Sequence, residues 1–569
     1  MPAPFDAARQ HLYDSDLSGL RVLIIDRHPP ARDALRLMLA NLGITKVMGV
    51  GSSQDVLRQV KSNTYDLILS DYVLEDGRDG QQLLEELRLA KLVPLSTVFI
   101  VVTSERSYHN VVGVAELTPD DYLVKPFTPD QLQLRLGRAL RRKSELGHIL
   151  RAMEVGHYSQ AVAACDELIG ASTDFVLDAL RLKGDLLNQL LRTDEAIALY
   201  REILTMRPLP WANMGLAQAL QAKGDLIEAE SLVRLVITDH KHFLVAHDFL
   251  ARLLEAQGKL VEAQEALMQA AEISPHNTLR QRVVGDIAVR TGDLDTAEFA
   301  YQTALRRARG SSIGSVSDYA NLSRVFIDQG KSAQAHAIAQ ELRRERRLDV
   351  CTEFTAHTLD SLAFHAEKNE SAAKASLTKA MVAHEAVGGH IPDQLVVDLA
   401  HAALATGDKE RAEALVRKVI SENPDDSHLQ EKIEAAYVKS GDAEAGRALL
   451  EAVSKEIVRI NNQGVLTARS GDLEASVRLL SQAADRMPNV QFLVNAANAI
   501  FTLLDQRGWQ QELGERGLFY LLKAQLKNSR HPKIISAYEY FQGVAQKYGV
   551  SVMALRQQVS DAMKSGTMN

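Results

Sequence analysis

Cysteine is scarce in this chain: Cys165 and Cys351 are the two in 569 residues. So few, so far apart, give neither a disulfide framework nor a metal-knuckle spacing, and they read as buried small hydrophobes in a reducing compartment. Aromatics make up 5%, which argues against a sandwich or barrel and for helices packed through small side chains. A formal charge of -8 lacks the basic footprint of a sequence-independent phosphate grip, so DNA binding is not expected. No apolar stretch approaches the roughly 20 residues that span a bilayer. The start, Met1-Pro2-Ala3-Pro4-Phe5-Asp6, lacks a basic n-region and an apolar h-region. The expectation is a cytoplasmic chain without membrane insertion. It is too long for one ordinary core, which calls for at least two domains or a domain plus a repeat array.

What is present begins with alternation. Short apolar runs at 21–25, 46–50, 66–70, 97–102 and 121–124 alternate with segments of helical period at about 31–42, 53–62, 80–90, 105–116 and 128–143. Five strands and five helices in that order predict an α/β domain with a doubly wound parallel sheet. Ligands of such sheets bind beyond the carboxyl ends of the strands. Asp26, Asp71, Thr103 and Lys125 all stand at those ends or in the turns just after them. Singly, each has a plain structural reading: a strand-end acid, a β-favouring residue, a surface charge. Together they make a set.

Residues 19–143 resemble the receiver domain of bacterial response regulators, which is flavodoxin-like, after an N-terminal extension over 1–18. The resemblance rests on spacing: Asp71 to Thr103 is 32 residues, Thr103 to Lys125 is 22, and Lys125-Pro126 stands as the family's Lys-Pro pair. It implies that Asp71 accepts a phosphoryl group from a sensor histidine kinase or a phosphotransfer protein. It implies a Mg²⁺ site from Asp26, Asp71 and the backbone carbonyl of Val73, with oxygen ligands suited to that hard cation. By the same resemblance Lys125 meets the phosphoryl oxygens, Thr103 moves to bond one of them, and Tyr122 follows into the vacated space. This is a two-state switch, not an enzyme. One residue departs from the family, whose members carry two adjacent acids after the first strand: here Arg27 follows Asp26. That weakens Mg²⁺ binding, or lets Arg27 pair with Asp71 and imitate the neutralised state, which would make this a degenerate receiver that works without phosphorylation. Arg32 reads as a surface or helix-packing residue.

Beyond residue 147 a period of 34 takes over. It separates Gly224, Gly258 and Gly292, and again Gly407 and Gly441. Small residues follow five later: Ala229, Ala263, Ala297, Ala412 and Gly446. Pro275, Pro424 and Pro488 sit where a second helix would stop. Gly-Asp recurs at 224–225, 292–293, 407–408, 441–442 and 471–472; Gly suits the left-handed turn after one helix, and Asp suits the free amides that open the next. In Asp225-Leu226-Ile227-Glu228 the Glu is placed to complete a capping box. The unit resembles a tetratricopeptide repeat, and residues 148–569 are expected to form an all-α solenoid of roughly ten to twelve helical hairpins, C-terminal capping helices included. Stretches 308–316 and 386–392 read as longer loops.

Stacked units of this kind present a concave surface to a protein or peptide. Histidines are scattered, and His240 and His242, two apart, do not share a helix face. Basic clusters at 141–143, 306–309 and 343–347 read as helix ends complementing the macrodipole. Almost no linker separates the first domain from the repeats. The chain is therefore expected to be a response regulator whose repeats serve as a signalling adaptor, and its domain order resembles the Vie-type receiver and tetratricopeptide regulators. The alternatives are a transcriptional regulator, disfavoured because no helix-turn-helix follows Lys143, and a phosphate sink that modulates phosphotransfer in another pathway.

Overall fold

The computed structural model describes residues 17–72, 74, 80–103, 119–171, 173–241, 243–273, 277–308, 314–387, 391–424, 426–527 and 531–564. The chain divides into two compact units, residues 1–273 and 274–569. The division falls inside the repeats, not at the end of the sheet domain.

In the first unit five strands, β1 (Arg21–Ile25), β2 (Lys46–Val50), β3 (Leu67–Asp71), β4 (Val98–Thr103) and β5 (Asp121–Val124), form one parallel sheet in the order β2-β1-β3-β4-β5. Near-continuous apolar strands are what a parallel sheet covered on both faces requires. Val22, Ile24, Leu69, Ile100 and Val102 pack on one face with Leu35, Leu39, Leu132 and Leu136 of helices Pro29–Asn41 and Pro129–Glu145. Leu23, Ile25, Ile68, Phe99 and Val101 pack on the other with Val56, Val60, Leu83 and Leu87 of helices Ser53–Ser62 and Gly80–Leu89. The helical segment expected at 105–116 lies outside the described residues. Helix Pro129–Glu145 starts under a full capping box, Thr128 accepting from Gln131 N while the Gln131 side chain returns to Thr128 N.

After that helix the described residues hold 23 further helices, from Gly147–Glu154 to Val552–Lys564. The repeat glycines take the conformation foreseen for them: Gly224, Gly258, Gly292, Gly407, Gly441 and Gly471 all have φ between +76° and +96°. Ala229, Ala263, Ala297 and Ala412 are fully buried. A Cβ on Gly446 would stand 2.7 Å from the Tyr437 ring, so a small residue is obligatory there. Helices Lys409–Glu422 and Leu473–Arg486 end just before Pro424 and Pro488, while Pro275 lies outside the described residues.

Two details differ from the expectation. Asp408 and Asp472 do cap their helices, but the Asp225 and Asp442 side chains make no cap bond. The Asp225–Glu228 capping box therefore does not form; Glu228 instead pairs with Arg201 at 2.9 Å. And Ala443–Arg469 is one helix of 27 residues. Its first half packs on Tyr437, and its second half on the next helix, where Ser476 Oγ donates to Gly464 O at 3.0 Å. It closes one pair and opens another.

Candidate functional site

The carboxyl ends of β1, β3, β4 and β5 bring the strand-end set together. Asp26 follows β1 and is 1% exposed. Its amide donates to Val50 O on β2 at 3.1 Å, and its Oδ1 accepts from His28 N at 2.8 Å. Asp71 closes β3, with Oδ1 accepting from Tyr72 N at 2.9 Å. Lys125, beyond β5, donates its backbone amide to Thr103 O at 2.7 Å, which aims the side chain back across the sheet. Its Nζ lies 2.9 Å from Asp26 Oδ2 and 3.2 Å from Asp71 Oδ1. One cationic nitrogen thus serves both carboxylates.

Thr103 is buried at the last position of β4, one residue beyond the level of Asp71 in the register of β3 with β4. Tyr122 is half-buried on β5 opposite Val101, packed against the core face that holds Val101 and Phe99. Val73 lies outside the described residues, so its carbonyl is not placed. Arg27 is exposed and does not imitate a neutralising partner of Asp71: its Nε donates to His28 Nε2 at 3.0 Å. Burial raises the Asp71 carboxyl above the usual carboxylate range, and the neighbouring Asp26 charge adds to this, against the lowering effect of Lys125.

Three participants were not read from the sequence. Gly80 opens the helix after β3; its amide donates to Tyr72 O at 2.8 Å, and a Cβ there would stand 2.7 Å from Asp71 O. Only glycine lets that helix start so close. Ser70 donates to the same Asp71 carbonyl at 3.0 Å. Arg32, read as a surface or packing residue, sends Nη1 to Asp26 O at 2.6 Å and so fixes the backbone of the first acid. Its signal was faint, since a helix arginine six residues after an acid has many other uses.

A second charged assembly joins the sheet domain to the repeats. Asp120, just before β5, accepts from Phe99 N on β4 through Oδ2 at 2.8 Å. Its Oδ1 meets Arg142 Nη1 at 2.9 Å and Lys143 Nζ at 3.0 Å. Arg142 Nε reaches Asp178 on repeat helix Val176–Gln189 at 2.6 Å, and Arg141 reaches Asp174 at 2.9 Å. From the other side Glu154 Oε1 accepts from Leu95 N at 2.5 Å. Cluster 141–143 is therefore a junction and more than a helix terminus. By contrast Arg306 and Arg307 do lie in the last turn of Leu294–Ala308. In cluster 343–347, Arg343 pairs with Asp360 at 2.9 Å. His242 lies outside the described residues, so the pair with His240 is not placed.

Residues 22–137 match the family of the response regulator receiver domain. Residues 146–209 and 394–426 match tetratricopeptide repeats, and 210–322 a tetratricopeptide repeat-like domain. The transcriptional regulatory protein ResD of Bacillus subtilis (strain 168) is 30% identical over 128 residues, which are 22% of this chain and 51% of ResD. The chain thus spans about half the length of that curated relative. Among solved structures, a two-component response regulator from Clostridium difficile is 27% identical, covering 22% of this chain and 97% of its own, with a TM-score of 0.19. A tetratricopeptide repeat protein from Parabacteroides merdae is 17% identical, covering 48% of this chain and 98% of its own, with a TM-score of 0.33. No described helix is long and apolar enough to cross a membrane.

Proposed function

Starting from a chain that carries an N-terminal response regulator receiver domain followed by tetratricopeptide repeats, we propose that it is a phosphorylation-controlled signalling adaptor. Asp71 takes a phosphoryl group from a sensor histidine kinase or a phosphotransfer protein, and the repeats hold a protein or peptide partner. The observation that carries this reading is Lys125 Nζ in contact with both Asp26 and Asp71: the two carboxylates are gathered at one point, with a cation ready to meet the phosphoryl oxygens.

The donor chemistry fits Mg²⁺. Asp26 and Asp71 supply hard oxygens on one side, and this ion binds through one or two carboxylates while keeping several waters. Held there, Mg²⁺ would neutralise the oxygens that crowd around phosphorus during transfer. The chain's own residues do the rest. Asp71 supplies the attacking oxygen, and its Tyr72 N–H bond fixes which oxygen faces the sheet. Lys125 is released from the carboxylates toward the new phosphoryl group, and Thr103 closes on it. Because the Lys125 amide is bonded to the Thr103 carbonyl, the two move as neighbours. No turnover is involved: the receiver is a switch, and its differential stability in the two states biases the repeats.

Exposure of the purified full-length chain to acetyl phosphate and Mg²⁺ tests this. Acid-labile phosphate is expected in the wild type and absent from Asp71→Ala; label that persists in the variant places the acceptor elsewhere. Arg27→Asp restores the second acid and is expected to tighten Mg²⁺ binding by about tenfold, a step of about 1.4 kcal/mol. Unchanged affinity in calorimetry would remove position 27 from the metal's surroundings. An adaptor and a phosphate sink separate on the next measurement. In an adaptor, phosphorylation changes partner affinity; in a sink, Asp71→Asn abolishes the pathway effect while partner binding stays the same.

A further inference from the structure

The second unit contains a cavity that the phosphoryl chemistry does not use. It holds about 360 Å³, partly open to solvent, between the helices Thr278–Thr291, Val316–Asp328, Asp393–Ala405 and Ser427–Lys439, each the first of its pair. First helices of stacked repeats ordinarily leave a groove open to an extended peptide. Here ion pairs span it. Arg290 on the first of these helices meets Glu431 on the last at 3.1 Å, and Lys439 meets Asp328 at 2.6 Å. The bridged space is a chamber on the scale of a small organic molecule.

Four cations and four carboxylates line the chamber, paired one to one but not equally closely. Arg324 lies 2.5 Å from Asp398, and Arg290 and Lys439 have the carboxylates just named. Lys432 is served less well. Its nearest carboxylate, Asp286, is 3.8 Å away, and Asp286 Oδ1 already accepts the Tyr301 hydroxyl at 2.7 Å. Three-quarters of the Lys432 side chain is nonetheless buried. Burial, with Arg324 nearby, pushes its ammonium down to about 8, and His401 beside the chamber is pushed down to about 3 by burial, Lys439 and Arg324. The imidazole is therefore neutral and able to donate one N–H. Val289, Val325, Val397 and Ala435 complete the walls with hydrocarbon.

We propose that this chamber binds a small monocarboxylic acid with an apolar body, its carboxylate on Lys432 Nζ and its hydrocarbon against Val289, Val325 and Val397. A single negative charge gives Lys432, the most loosely paired of the four cations, a closer partner. A phosphate dianion would carry its second charge toward Asp286, Asp398 and Glu431, and an amine would face Lys432 itself. This site is independent of the receiver reading and uses none of its residues.

Calorimetry on the full-length chain with 4-methylpentanoate, its amide, inorganic phosphate and a pentapeptide ending in leucine tests the proposal. Saturable one-site binding of the acid is expected, with the amide, phosphate and peptide each at least about tenfold weaker. Lys432→Met is expected to lose acid binding while keeping its helical circular dichroism. A second measurement does not depend on that variant folding: saturating 4-methylpentanoate should protect Lys432 of the wild type from acetic anhydride while exposed lysines label as before. No binding of the acid, equal binding of the amide or phosphate, retained binding in folded Lys432→Met, or undiminished acetylation of Lys432 would each overturn the site. A peptide that binds as tightly as the free acid would overturn the bridged chamber.

Discussion

The receiver and the repeats bury their apolar side chains in different ways, and that decides where each can put its charges. The sheet is filled by wide residues, Ile24, Leu69, Ile100 and Phe99 among them, covered on both faces. Polar groups are squeezed to the strand ends, so Asp26, Asp71 and Lys125 meet there. The repeats pack through small residues such as Ala229, Ala263 and Ala297, each pair of helices against its neighbours. Their charges spread along the units as local pairs, such as Lys223 with Asp194 at 3.0 Å and Lys331 with Glu298 at 2.7 Å. One region gathers its charges at a point and the other distributes them over its length.

Damage to a repeat should then be costly yet local. Tyr200 is fully buried, its ring wedged against Gly184 and Gly215 and its hydroxyl donating to Asp185 at 3.2 Å. Tyr200→Ala is expected to cost about 4 kcal/mol in denaturant unfolding and to leave phosphoryl uptake at Asp71 intact. Loss of uptake would mean that the two regions do not separate in this way.

Arg142→Ala attacks the junction where the comparison should break down. It removes bonds to Asp120 and Asp178, and about 2 kcal/mol of stability is expected to go with them. Phosphorylation should continue, but its effect on hydrogen exchange in helix Val176–Gln189 should disappear. An unchanged exchange response would show that the signal takes another route.

Smaller effects sharpen the contrast between repeats. Asp472→Ala removes a cap bond to Ala475 N and is expected to cost about 1 kcal/mol. Asp225→Ala, at the equivalent Gly-Asp pair, loses no cap bond and should leave the unfolding midpoint where it is. Equal losses would mean that the dipeptide acts through something besides capping.

The smallest effect lies in the receiver. Folding raises the Asp71 carboxyl above its ordinary value, so the folded chain keeps a proton that the unfolded chain has released across that window. Stability therefore falls as pH rises through it. Asp71→Asn should melt higher than the wild type at neutral pH, and the two should converge at a pH below the usual carboxylate range. A gap that widened in acid would reverse the sign.

Much of this was legible because sequence spacing reports local geometry. Strand-end acids followed by helical stretches place Asp26, Asp71 and Lys125 at one sheet edge, and glycines 34 apart mark left-handed turns. What was not legible depends on residues distant in the chain. Gly80 is one glycine among many until its Cβ is seen to collide with Asp71 O. Arg141, Arg142 and Lys143 read as a helix end because Asp120, Asp174 and Asp178 have no sequence relation to them. The ion pair of Arg290 with Glu431 spans repeats that no period connects. Capping by Gly-Asp was half legible, since the dipeptide supplies the oxygen but the local backbone decides whether it meets an amide.

Site-resolved mass spectrometry of the full-length chain after acetyl phosphate and Mg²⁺ treatment tests the central claim most directly. A single phosphoryl group on Asp71, lost on acid treatment, is the result expected. An unmodified Asp71, with the receiver folded and Mg²⁺ bound, would contradict it.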